Sequence, residues 1–555
     1  MPIAGVMRIG NPVSSPGDEC RPMNPVSRAP FAVPRRHESV LFLPRRSEQV
    51  AVVDANLQHL REAAVDLHGV SLQTLRAQVK QAVIAQAADY TSSLVGDRVE
   101  ADKSAPLIVT GHQPELFHAG VWGKNFAAAG LAHQTHGQAL NLIVDNDTVS
   151  GSRIRVPVGT RQSPAIEWIP FDAAQPQQPW EESTISDGPC FRDFGRRVSS
   201  RIRECWNYEP LVAGSWPAAI RHAGVSLRLC DCLAAARVAV ERLHGLRNLE
   251  VPMSRVCSTL PFCYFATFLL AHLPRFRALY NESVRGYRKA HRLRSSTHPV
   301  PELESIDGWF EAPFWVWRRG DHRRERPYAR QTGSDLELRD GREIFVRLPI
   351  TPDRPLDAAA SLLAELGNRG IRFRTRALTT TLFARLFLAD LFIHGIGGAK
   401  YDAMTDQICE RFLGIKPPQF VTVSATVHLP LASAFPVTDD DLHTVGQQIR
   451  DLRYNPDRHL SEVANSDIQG LIREKGQLIV SLGSARPKKL EHHRLAEINA
   501  GLFARLGSIN QTLQSDREQL RQQLRANSIL QNREFSWCLQ PEEVVTAFFR
   551  REFLG

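Results

Sequence analysis

The chain has 555 residues, enough for several folded units and a large core, which excludes a small scaffold held by disulfides or metal. Hydrophobic residues make up 43% and charged residues 23%, an ordinary globular balance that excludes a chain fibrous or disordered throughout. The formal charge of +9, from 68 basic and 59 acidic residues, is spread along the chain; it favours anionic ligands without the concentrated patch that nucleic acid requires, so no nucleic-acid partner is expected.

Residues 1–36 carry seven prolines and no hydrophobic period, as a loose arm would. The N-terminus has no apolar signal segment, and the longest apolar run, residues 262–271, is far short of the roughly 20 residues of a membrane span. The nine cysteines show no framework. Cys230 and Cys232 form a lone CxC with no second pair at zinc spacing, so no metal site is assigned and any metal requirement stays unknown. Together these features predict a soluble, cytoplasmic protein with no membrane partner.

From residue 54 to 88 the spacing of Leu57, Leu60, Leu67, Leu75, Val79 and Val83 predicts one or two amphipathic helices. An apolar strand over 106–110 follows, then Gly111 to Gly120, a helix over 121–133, and a second strand over 139–144 that ends in Asp145, Asn146 and Asp147. Strand, turn, helix and strand in about forty residues is the βαβ unit of a parallel sheet, whose ligands sit beyond the carboxyl ends of the strands. Between 160 and 350 helices are expected at 234–246 and 259–273, then a Pro- and Trp-rich stretch over 299–317 and a charged, hairpin-like passage over 318–347. A second α/β segment begins near Ile371, with a helix over 377–392, a glycine turn at 395–398 and a helix over 401–412. From 488 to 530, Leu495, Ile498, Leu502, Leu506, Ile509 and Leu513 recur at threes and fours without proline, which suits either a dimerising coiled coil or a long helix capping its own domain.

Four clusters carry candidate chemistry. Gly111 after a strand frees backbone amides to turn toward a ligand, and a helix beginning near Gly120 aims its positive end at an anion. His112 is placed to donate to that anion or act as a general acid, and Gln113, His118 and Lys124 lie within the same fifteen residues. Asp145, Asn146 and Asp147 could hold a sugar hydroxyl, an amine or a magnesium ion, or simply cap the next element. Gly397 and Gly398 with Lys400 and Tyr401 lack the spacing of a P-loop but suit an anion; the alternative is the C-cap of a helix. Arg372, Arg374 and Arg376 would share one face of a strand, as an anion site or a solvated edge.

Thr110, Gly111, His112 and Gln113 with Leu116 and Phe117, the acidic end of the second strand, Tyr280 to Glu282 with Tyr287 and Arg288, the turn Ile396 to Gly398 with Tyr401, and the C-terminal heptad-like stretch follow one another as in the bacillithiol-biosynthesis cysteine-adding enzymes. The chain resembles that family over roughly residues 40 to 545. The resemblance implies a Rossmann-like parallel sheet core with helical connecting segments, a C-terminal coiled coil and a homodimer formed through it. It implies a ligase that joins the carboxylate of cysteine to the amine of a glucosaminyl-malate acceptor, with small-molecule substrates and ATP to activate the carboxylate as an acyl phosphate or adenylate. The cleft departs from the family pattern: Thr-Gly-Gln-Gln reads Thr110, Gly111, His112, Gln113 with Pro114 following, the acidic-histidine cluster is replaced by Asp145, Asn146 and Asp147, and the helix lysine, Lys124, is displaced. A different amine or acyl substrate therefore fits the altered cleft equally well.

The expectation is thus an α/β ligase-like enzyme: an arm over 1–36, the core over 37–415, a connecting or α/β segment over 416–487, and coiled coil and tail over 488–555. His112 and Gln113 orient the carboxylate or phosphate, Asp145 and Asp147 bind the acceptor, Asp147 serves as base, and Gly397, Gly398 and Lys400 receive an anionic part. The competing readings are a nucleotide-binding enzyme of glycan modification and a non-catalytic scaffold.

Overall fold

The computed structural model describes residues 32–351, 355–460, 466–482 and 489–555; most of the expected arm, residues 1–31, and Lys488 lie outside them. The molecule is mixed α/β and is organised by a six-stranded sheet. Its strands are β1 (Ser39–Leu43), β2 (Leu107–His112), β3 (Gln138–Ile143), β4 (Leu249–Pro252), β5 (Leu391–His394) and β6 (Phe420–Thr426), in the order β1-β6-β5-β2-β3-β4. Five of them are parallel, and β1 closes one edge antiparallel to β6.

The βαβ unit predicted over 106–144 is present: β2, the helix Ala119–Gln134 and β3 follow one another, with Ile108 opposite Ala139. Leu107 and Val109 enter one core and Ile108 the other. Both faces of the sheet are covered, so β2 reads as an unbroken apolar run instead of alternating. One core is closed by the helices Leu72–Val95 and Leu260–Ala271, the other by Ala119–Gln134 and Leu229–Leu243.

The chain proceeds from β2 outward to β3 and β4, then returns to lay β5 and β6 on the opposite side of β2. The strand order therefore reverses between β2 and β5, and the helices that follow them pack into the cores on opposite faces of the sheet, leaving a crevice between. Thr110 Oγ1 donates to the Ile393 carbonyl at 3.1 Å and ties the two ends together.

Several expectations need correction. The helix predicted over 377–392 ends at Leu388, and Leu391–His394 is β5, beside β2 at the middle of the sheet. A continuous apolar stretch has no period from which to tell a buried strand from a buried helix. The turn over 395–398 is the start of a helix, Ile396–Ile408, with Gly395 at its N-cap, so the C-cap alternative for Gly397 and Gly398 is excluded. The hairpin-like passage expected over 318–347 is present as the antiparallel strands Tyr328–Thr332, Asp335–Arg339 and Ile344–Leu348, and the stretch before it adds the strand Phe314–Arg318. Because β6 pairs with β5, the sheet continues past residue 415.

The C-terminal run is two helices, Lys489–Ala504 and Gly507–Leu530, which with Asp439–Tyr454 and Ser466–Leu482 surround a small core of Leu452, Leu460, Ile498, Leu502 and Leu506. The last residues are no loose tail. Phe549 packs 5.2 Å from Trp122 and 5.0 Å from Phe126, ring centre to ring centre, and Phe548, Phe549 and Phe553 are buried. The described end of the arm is also engaged: Thr426 Oγ1 donates to the Pro34 carbonyl at 2.6 Å. Among the described residues, no helix is long and apolar enough to cross a membrane.

Candidate functional site

A cavity of about 810 Å³ opens where β2 and β5 end. From the first segment come Gly111, His112, Gln113, His118 and Lys124; from the second come His394, Gly395, Gly397, Gly398 and Tyr401. Asn146 and Asp147 also line it. Two stretches almost three hundred residues apart thus face one hollow because their strands are neighbours in the sheet.

Two helix N-termini converge on this hollow. Ala119–Gln134 begins at its rim, where His118 Nδ1 accepts from the Gly120 amide at 3.1 Å, and Ile396–Ile408 begins opposite. Both helices direct the positive end of their dipoles at the hollow, but in the first the amides of Gly120, Val121 and Trp122 are already bonded to His118. Gly111 is not a turn residue: β2 runs on through His112, and a Cβ on Gly111 would lie 3.0 Å from the Leu142 carbonyl, so glycine here lets β2 and β3 close up.

Lys124 lies one turn into its helix, 4% exposed, and donates to the Gly111 carbonyl at 2.6 Å. No carboxylate pairs with it among the described residues, and burial alone pushes its ammonium down to about 8. A buried, unpaired cation is costly unless something anionic joins it. Arg324, Arg376 and Arg533 also line the cavity, against Asp147 and Glu534. Arg324 and Arg376 lie 4.8 and 4.6 Å from the ring centre of Trp315.

His112 cannot be the cationic acid expected of it. Burial, and then the charge of Lys124, push its imidazole down to about 3. At neutral pH it is uncharged, which leaves Lys124 as the cation beside it. Its Nδ1 lies 3.2 Å from the Gln113 carbonyl; a carbonyl only accepts, so Nδ1 carries the proton and Nε2 keeps its lone pair. His118 is likewise pushed down, to about 4, by burial.

The acidic triplet divides. Asp147 is tied on both oxygens: Gln113 Nε2 donates to Oδ2 at 2.9 Å, the Thr148 amide donates to Oδ1 at 2.8 Å, and Arg324 Nη1 lies 3.1 Å from Oδ1. Asn146 reaches the Thr375 carbonyl at 2.8 Å, and its buried Oδ1 has no partner. Asp145 does not line the cavity. It is fully buried, accepting from the Ser254 amide at 2.8 Å and paired with Arg228 at 3.0 Å, and burial with Glu181 nearby raises its carboxyl to about 6. It anchors the start of the next segment and cannot touch an acceptor. Lys400 is exposed and also absent from the lining.

The sequence reading missed the residues that complete the second wall. Imidazole His394 is buried against Asp402, its Nε2 2.8 Å from Oδ2. Burial would raise the Asp402 carboxyl, but Arg385 and His394 outweigh it and hold the group below the usual carboxylate range. An ionised carboxylate only accepts, so Nε2 carries the proton and Nδ1 faces Gly398, where an added Cβ would come within 2.7 Å. Residues Arg372 and Arg374 turn away from the cavity to pair with Glu181 and Glu182, whereas Arg376, just past the strand Ile371–Thr375, enters it and pairs with Glu311. Spacing within β5 and the helix after it gave a signal for His394 and Asp402, eight residues apart across a glycine turn; nothing local marked Arg324 or Arg376.

No family model matches this chain, and no curated protein matches it. Among the described residues no group of three or more His, Cys, Asp or Glu is placed to hold a metal ion.

Proposed function

We propose that the protein is a carbon–nitrogen ligase of the cysteine-adding type, built on a Rossmann-like core, that joins an amino-acid carboxylate to the amine of an amino-sugar conjugate such as glucosaminyl-malate. The observation that carries this reading is the buried, carboxylate-free Lys124 under two converging helix N-termini at the strand reversal. That arrangement stabilises negative charge on a reacting carboxylate or phosphate, the charge that grows during acyl activation and amide formation.

The remaining residues fit distinct tasks. Gln113 and Arg324, both held by Asp147, would orient the acceptor, and the paired carboxylate of Asp147 is better suited to positioning than to taking a proton. As the amine nitrogen bonds to the acyl carbon, the C–O bond to the activating phosphoryl group would break, that group leaving as an anion beside Lys124, and the amine proton would pass to His112 Nε2. An anion beside Lys124 cancels part of the field that depresses this imidazole and so raises its basicity on substrate binding. The cations around Trp315 suit the carboxylates of a malate-bearing acceptor. ATP, with Lys124 and the two helix ends available for its phosphates, would supply the activation of the carboxylate. A homodimer through the C-terminal helices belongs to the same proposal.

Incubating the protein with ATP, cysteine and glucosaminyl-malate, and following nucleotide and amide by mass spectrometry, tests it. Amide should form with matching nucleotide consumption. His112→Ala should lower turnover by about a hundredfold or more, and Asp147→Ala should act chiefly on acceptor KM, both with little change in Tm. Nucleotide consumed only with another acceptor would favour a glycan-modification enzyme; nucleotide neither bound nor consumed would favour a scaffold.

A further inference from the structure

A second pocket, of about 610 Å³, shares no lining residue with the first. Arg228, Arg255, Arg319, Arg372 and Arg374 line it against two acids, Glu181 and Glu182. Those acids are already engaged. Arg374 Nε lies 2.8 Å from Glu181, and Arg372 Nε lies 3.2 Å from Glu181 and 3.1 Å from Glu182. Arg228 pairs with Asp145 at 3.0 Å, and its Nε lies 3.9 Å from Asp231. Neither Arg255, stacked 4.9 Å from the ring centre of Tyr90, nor exposed Arg319 has a carboxylate partner among the described residues.

On the floor, Thr259 precedes the helix Leu260–Ala271. Its hydroxyl is spent on the Val256 carbonyl at 2.8 Å, its carbonyl accepts from the Cys263 amide at 3.0 Å, and Pro261 has no N–H, so the guanidinium groups are the pocket's main donors. The lining is otherwise Ser, Thr, Gln and Gly, with no aromatic or aliphatic side chain. Surplus guanidinium charge recognises anions, each planar fork presenting paired N–H donors to a phosphate or carboxylate.

We propose that this pocket is a separate binding site for a small, compact polyanion carrying two or more phosphate or carboxylate groups. Arg255 and Arg319 are its recognition residues, and Arg228, Arg372 and Arg374 form a pre-paired cationic base. The site goes beyond the ligase reading and does not depend on it.

Calorimetric titration of the intact protein at low salt with pyrophosphate, and separately with citrate, tests this. At least one should bind saturably and about tenfold or more tighter than orthophosphate, which can engage fewer of the donors. R255Q/R319Q should weaken that binding about tenfold or more without lowering the Tm of the free protein, because neither side chain holds a structural ion pair. K124M, which weakens anion binding in the first cavity, should leave the component lost in R255Q/R319Q unchanged. If the double variant melts early, R319Q alone, at an exposed position, gives the same comparison with a smaller loss. The tighter of pyrophosphate and citrate assigns the ligand to phosphates or to polycarboxylates. No saturable binding of either, or binding that survives R255Q/R319Q, overturns the site.

Discussion

Lys124 concentrates the electrostatics of the first cavity into one group. Its ammonium sits at about 8 instead of the ordinary 10.5 because it is buried without an acid. The unfolded chain therefore binds the extra proton between those two values, and this residue's contribution to stability rises with pH across that window. Ligand binding runs the other way, since the cation that receives an anion is lost above pH 8. Affinity for an anionic substrate should thus be flat below about pH 8 and fall up to about tenfold per pH unit above it. Lys124→Met should bind weakly at every pH. Measuring KM against pH for both proteins checks this, and a wild-type profile with no break near pH 8 would remove Lys124 from the binding site. His112 and His118 titrate far lower, so neither introduces a switch between pH 5 and 8.

At the scale of elements, the helix Ala119–Gln134 holds the site because everything around it fits closely. Trp122 Nε1 and Asn125 Nδ2 both donate to Glu241 at 2.8 Å, and Arg237 joins Glu241 to Glu250 beneath β3 and β4. Its far face carries the C-terminal aromatics. A Cβ on Gly130 would lie 1.9 Å from the Phe553 carbonyl, whereas Gly446, within Asp439–Tyr454, faces open space. The same substitution should therefore have opposite signs at the two positions. Gly130→Ala should destabilise by about 1–3 kcal/mol through overpacking, and Gly446→Ala should stabilise by about 0.5–1 kcal/mol by lowering chain entropy in a helix. Thermal denaturation of both variants reads the contrast; equal signs would mean that the tail is not seated on this helix.

At the scale of the molecule, the C-terminal helices leave Ile479, Leu490 and Ile509 exposed, Leu490 to 81%. A second copy of the chain covering these residues is the arrangement the proposed homodimer requires. Sedimentation should give twice the 62.2 kDa chain mass, and Leu490→Glu with Ile509→Glu should return it to the monomer without changing ligand binding in the cavity. A monomer at micromolar concentration in the unmodified protein would rule out this interface.

The amino-acid order alone determined the βαβ unit from 106 to 144 and the polar clusters at its strand ends, since a covered parallel strand must be apolar until it leaves the core and polar immediately after. The glycines at 395–398 read as a turn between helices, but they begin the helix Ile396–Ile408, because Leu391–His394 before them is a strand. Tertiary structure alone decided what those clusters meet. Asp145 and Asp147 are two residues apart and identical in chemistry, yet one is a buried anchor and the other a cavity wall. Arg372, Arg374 and Arg376 separate between two pockets at the end of a single strand. Sequence pattern records whether a side chain leaves water, but its partners and its pKa are set by neighbours brought from distant segments. The pairing of β2 with β5 is what places Lys124, His112 and His394 around one hollow.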